Sequence, residues 1–152
     1  MPIKKNLQRF HDAQAGEERI SYEIALAELQ AGAKKNCWIW YIFPQLETEK
    51  LSETSKYYGI CNFNEACDYL QDPVLFERYK TMVALVKDKL EKGTTVLKLM
   101  GKPIDAKKLA SSLTLFREAA SYLALLNDEL SPEYKVLEDN CTDIFKIISK
   151  QN

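Results

Sequence analysis

Residues 37–45 read Cys37-Trp38-Ile39-Trp40-Tyr41-Ile42-Phe43-Pro44-Gln45. Two tryptophans, a tyrosine and a phenylalanine fall within six positions, and no other window of the chain is as dense in aromatic surface. Each such ring can bury roughly 150–250 Å², so the segment is expected to be core, ligand pocket, or both. In extended form Trp38, Trp40 and Ile42 face one way and Ile39, Tyr41 and Phe43 the other, which demands cover on both sides. A short buried helix accommodates the same run, because periodicity does not separate the two forms over so few residues. Pro44 ends either form.

Upstream of this run the pattern is helical. Leu7 and Phe10 sit at helical spacing in a segment that stops at Gly16. Ser21 is placed to cap a helix from Tyr22 to Ala31, closed by Gly32. Downstream, Leu46 to Ser55 is polar and reads as a loop with a helical turn. Asn62 or Asn64 can cap a short helix through Leu70. Asp72-Pro73 then starts the longest element, to about Lys92, with Leu75, Tyr79, Met82, Val83, Val86 and Leu90 as one apolar stripe. Thr94-Thr95 opens a short helix ended by Gly101 and Pro103. A further helix is expected from about Arg117 to Glu129, and Ser131-Pro132 restarts the last. The reading is mainly α: a single compact domain over 1–152, of about seven helices with at most one short extended aromatic segment.

Composition agrees with an ordinary globular chain: 152 residues, 46% apolar, 28% charged, formal charge -1. That charge argues against generic nucleic-acid binding. No apolar run approaches the roughly 20 residues of a membrane span. The polar start, Met1-Pro2-Ile3-Lys4-Lys5, is unlike a secretory leader. The four cysteines, Cys37, Cys61, Cys67 and Cys141, form no Cys-x-x-Cys pair, so neither a metal nor a redox motif is expected. A cytoplasmic protein with free thiols and no cofactor follows from this.

The chemistry is sparse. His11 is the one histidine, so catalytic arrangements built on that residue type would have to use it. Cys37 follows Lys34 and Lys35, which could favour a reactive thiolate, but a small buried hydrophobe is the reading preferred here. Trp38, Trp40 and Tyr41 could stack a nucleobase-like ring, with Gln45 and Tyr58 supplying polar groups. Ser111, Ser112 and Thr114, placed before the expected helix, would suit a phosphate with Lys108 as its counter-charge. Capping by one of these hydroxyls is the plainer alternative.

Several of these stretches together resemble a known family. They are Arg9-Phe10-x-x-Ala13-Gln14, Trp38-x-Trp40-Tyr41-Ile42-Phe43-Pro44-Gln45, Tyr58-Gly59-Ile60, Pro73-Val74-Leu75, and Lys108-Leu109-x-Ser111-Ser112-x-Thr114-Leu115-Phe116. In order and spacing, over roughly 7–125, they resemble the bacterial family called domain of unknown function 1810. The resemblance implies a mainly helical build and no particular activity. A more distant likeness is to the YbiA-like group associated with NAD and ADP-ribose, at the level of build alone. Set against the family pattern, Cys37 stands where histidine is usual, Thr48-Glu49-Lys50-Leu51 where a Gly-Leu-Gly-Arg-like turn is usual, and Ala110 where a basic residue or histidine is usual.

The expected function is binding of a nucleotide-like ligand such as ADP-ribose, with N-glycosidic or ADP-ribosyl hydrolysis as an extension. The candidate catalytic residues are then Glu28, Asp105 and Cys37, because histidine is scarce. The alternative is a non-catalytic protein-interaction module whose aromatic run is structural core.

Overall fold

Side chains write most of the helix starts in this protein. Ser21 accepts from the Ile24 N–H, Ser52 from Ser55, Asn62 from Glu65, Thr95 from Lys98, and Asp72 from both Val74 and Leu75. Each satisfies a first-turn donor that has no partner within the helix. In the computed structural model, which describes residues 6–48 and 52–151, these caps open α2 (Tyr22–Gln30), α4 (Glu53–Tyr58), α5 (Phe63–Gln71), α6 (Pro73–Glu91) and α7 (Val96–Met100). The other helices are α1 (Gln8–Ala15), α3 (Ile39–Ile42), α8 (Pro103–Leu126) and α9 (Ser131–Gln151).

The described residues thus hold nine helices rather than about seven. The two additions are short. The aromatic run closes into the single turn α3, with the Ile42 N–H on Trp38 O (3.2 Å) and the Phe43 N–H on Ile39 O (3.0 Å). The polar segment after it supplies α4. A larger difference lies at α8. It begins at Pro103, in the first turn where a missing N–H costs nothing, and runs unbroken through the region expected to precede a helix at Arg117. Its interior hydroxyls do not interrupt it, because Thr114 bonds back to the Ala110 carbonyl (2.9 Å) and Ser112 bonds sideways to Tyr79 (2.9 Å). The Glu49, Lys50 and Leu51 part of the expected family turn lies outside the described residues.

There is no strand among the described residues. One isolated parallel bridge joins Leu46 to Ile60, with Ile60 N–H on Gln45 O and Glu47 N–H on Ile60 O, both 2.8 Å. Gly59 makes this junction fit: a Cβ there would stand 2.8 Å from Glu47 Cβ and 2.9 Å from its Cα. The Arg9 guanidinium locks the same place, donating to the Gly59 carbonyl (2.8 Å) and to both Glu65 oxygens (2.7 and 3.2 Å).

α9 packs on α8 and α6, and α5 packs on α8 and α6. One cluster of buried side chains runs from Phe10 to Ile144. At its centre Tyr79 and Phe116 pack as a tilted pair with ring centroids 4.5 Å apart, Tyr69 meets Phe116 at 5.1 Å, and Phe43 from the aromatic run meets Tyr79 at 5.8 Å. No described helix is long and apolar enough to cross a membrane.

Candidate functional site

The aromatic run divides between core and surface. Trp38 is fully buried, and its indole N–H donates to Glu28 Oε1 (2.8 Å). Tyr41 is also fully buried, its hydroxyl donating to the Ile20 carbonyl (2.7 Å), and burial raises its pKa. Neither ring offers a face to a ligand. Trp40 is half-buried. Its Nε1 is shielded from solvent and has no hydrogen-bond partner. The Lys108 ammonium sits over its ring, 5.3 Å from the centroid.

Four of the expected ligand residues come together: Trp40, Gln45, Tyr58 and Lys108 line one cavity with Ile39, Phe43, Ser55 and Gly59. Its volume is about 10 Å³, room for one water and no ring. Ile39, Trp40 and Lys108 also border a second, wider cleft of about 180 Å³, completed by Lys34, Cys37, Lys102, Ile104 and Asp105. The three hydroxyls lie elsewhere. Ser112 is fully buried against Tyr79, while Ser111 and Thr114 are exposed. The expectation that they flank an open helix N-terminus is corrected, since the N–H groups at 111–114 lie inside α8 and serve its own ladder.

The candidate catalytic groups are spoken for. Glu28 accepts from the backbone N–H groups of Lys35 (2.7 Å) and Asn36 (3.0 Å), from the Asn36 amide (2.5 Å) and from Trp38. Partial burial favours its neutral form, but these donors outweigh that and bring its pKa down from 4.5 to about 2. A carboxylate so placed is a clamp on the loop leading into α3 and a poor proton acceptor at neutral pH. Asp105 is buried and paired with Lys34 Nζ (2.9 Å), which also donates to the Asn36 carbonyl (2.6 Å). Cys37, preferred as a buried hydrophobe, is exposed. The chain turns inward one residue later, at Trp38, so the thiol is left on the rim of the cleft.

Lys102 and Ile104 are the cleft residues that sequence reasoning did not single out, and Lys34 entered it only as a charge beside Cys37. Gly101-Lys102-Pro103 did mark a boundary, and the boundary is what brings Lys102 and Ile104 to the cleft. Nothing local signals that Lys34 meets Asp105, 71 positions on.

Comparison with known proteins gives the family. The family model described as protein of unknown function (DUF1810) matches residues 4–145, and the chain belongs to that family. Among solved structures it is similar to the conserved hypothetical protein Rv1873 from Mycobacterium tuberculosis, with 34% identity and a TM-score of 0.68, over 86% of this chain and 83% of that one. No curated protein matches the sequence. The likeness to the YbiA-like group finds no support in these matches.

Proposed function

We propose that this protein binds a small, ring-bearing, nucleotide-like molecule in the cleft bordered by Trp40, with the ring against the indole and the Lys108 ammonium beside it. The observation that carries this reading is the half-buried Trp40 ring, which borders the cleft together with Lys108, whose ammonium lies 5.3 Å from the ring centroid. An aromatic face beside a cation is the pairing that a ring bearing an anionic group calls for. The reading is one of binding: Glu28 and Asp105 are held by their own partners, so no hydrolytic step is assigned to them.

A thermal-shift screen against nucleobases, nucleotides and ADP-ribose tests it. A ligand at a hundredfold excess over its Kd stabilises by about 2.7 kcal/mol, which for a chain of this size is roughly 5–10 °C. Trp40→Ala should abolish the shift with the fold intact. Absence of any saturable shift or Trp quenching at millimolar ligand defeats the reading.

A second reading, as a protein-interaction module, rests on a different face. Leu125 and Leu126 at the end of α8 are 81% and 64% exposed, beside Tyr122, whose ring packs edge-on against Phe63 at 5.7 Å. Sedimentation velocity on the wild type and on Leu125→Glu tests self-association through that face.

A further inference from the structure

We infer that the cleft beside Trp40 selects an aromatic anion, one ring carrying a carboxylate or phosphate, with Lys102 and Lys108 as the anion-holding groups. The inference rests on the binding reading above and narrows it to a ligand class and to a subsite away from Ser111, Ser112 and Thr114.

Three observations meet here. First, charge: the cleft carries three ammonium groups, Lys34, Lys102 and Lys108, against one carboxylate, Asp105. Lys34 is consumed by Asp105, with side chains only 6% and 9% exposed. Lys102 and Lys108 enter no ion pair with a described carboxylate. In a chain of formal charge -1, that leaves two positive charges concentrated in one concavity, where low-dielectric walls focus the field on an entering anion. Second, wall chemistry: Ile39, Trp40 and Ile104 supply apolar surface, and Ile104 is 55% exposed although it stands in the first turn of a long helix. A ring covers such surface and a bare inorganic anion does not. Third, size: the cleft measures about 180 Å³, and a cavity of about 150 Å³ takes one benzene. The part of the ligand held in the cleft is therefore about one ring with its acidic group, and a four-ring system such as pyrene exceeds it.

The test uses the two tryptophans as reporters. Each gives one indole N–H cross-peak in a ¹H–¹⁵N spectrum. Trp38 is held by Glu28, whereas Trp40 has no partner, and Trp40→Phe assigns them. Full-length protein is titrated with benzoate and phenyl phosphate, with benzamide as the neutral isostere and 1-pyrenecarboxylate as the oversized acid. The expected result is a saturable shift of the Trp40 peak alone, with benzoate about tenfold tighter than benzamide, the factor that one charge-assisted hydrogen bond supplies. Lys102→Gln, which leaves Lys108 in place, should move the benzoate affinity towards the benzamide value. Lys102 is exposed and makes no side-chain capping bond, so this variant keeps the fold. Equal affinity for benzoate and benzamide overturns the charge selectivity while leaving the Trp40 cleft as a binding site. Binding of 1-pyrenecarboxylate as tight as benzoate overturns the one-ring limit. No movement of the Trp40 peak with any probe removes both the inference and the reading beneath it.

Discussion

Glu28 gathers its donors from three consecutive kinds of group: backbone amides at 35 and 36, the Asn36 side chain, and the Trp38 indole. A depressed carboxylate pKa means the charged form is stabilised in the folded state relative to the unfolded one, so the stability it confers is present above the unfolded value and is lost as pH falls. For Glu28 that window runs from 4.5 down to about 2. Glu28→Gln should therefore lower Tm at pH 7, and the gap between variant and wild type should narrow steadily from about pH 5 towards pH 2. Asp72 and Glu65 are also depressed, chiefly by the N–H groups and cations that outweigh their partial burial, but they titrate in both proteins and cancel in the difference. A gap that stays constant across this range would mean the clamp does not depend on the Glu28 charge. None of this was legible in sequence, where Glu28 offered only a carboxylate on a helix. Cys37 misled for a related reason. Its place at the head of an apolar run suggested burial, but the loop that Glu28 pins leaves the thiol outside and turns the chain inward at Trp38.

Among the elements, the caps were legible and the interior of α8 was not. Ser21, Asn62, Asp72 and Thr95 act as their residue types and positions imply. The run Ser111-Ser112-x-Thr114 looked like a boundary because hydroxyls favour caps. It is helix interior because tertiary partners absorb the hydroxyls, and the decisive partner, Tyr79, lies 33 positions away. That buried Tyr79–Ser112 bond joins α6 to α8 and gives a direct test. Ser112→Ala strands the phenol and should cost about 1–3 kcal/mol, whereas Tyr79→Phe with Ser112→Ala removes both partners and should cost less than the single change. Denaturant midpoints of the two singles and the double measure the coupling. Additive losses would show that the hydroxyl pair contributes nothing beyond two separate packing sites.

At the scale of the molecule, the apolar stripe of α6 and the restart at Ser131 foretold a helical core. They did not foretell which helices share it, because long-range pairing leaves no local trace. Buried residues from Phe10 to Ile144 form one cluster, and α9 reaches it through α6 and α8. Such continuity predicts that the chain unfolds as one unit. Ile144, fully buried on α9, is the place to strain it. Ile144→Ala should destabilise by about 2–5 kcal/mol, and at roughly 2–4 °C per kcal/mol for a chain this long Tm should fall by about 10 °C. Both tryptophans lie in the first third of the sequence, whereas most of the helical signal comes from α6, α8 and α9. Tryptophan fluorescence and far-ultraviolet circular dichroism therefore weight different parts of the chain. One cooperative core requires both probes to move by the same amount in Ile144→Ala. If the fluorescence transition keeps its wild-type midpoint while the dichroism transition falls, α9 melts separately, and the aromatic turn with its cleft stands on a smaller unit than the whole chain.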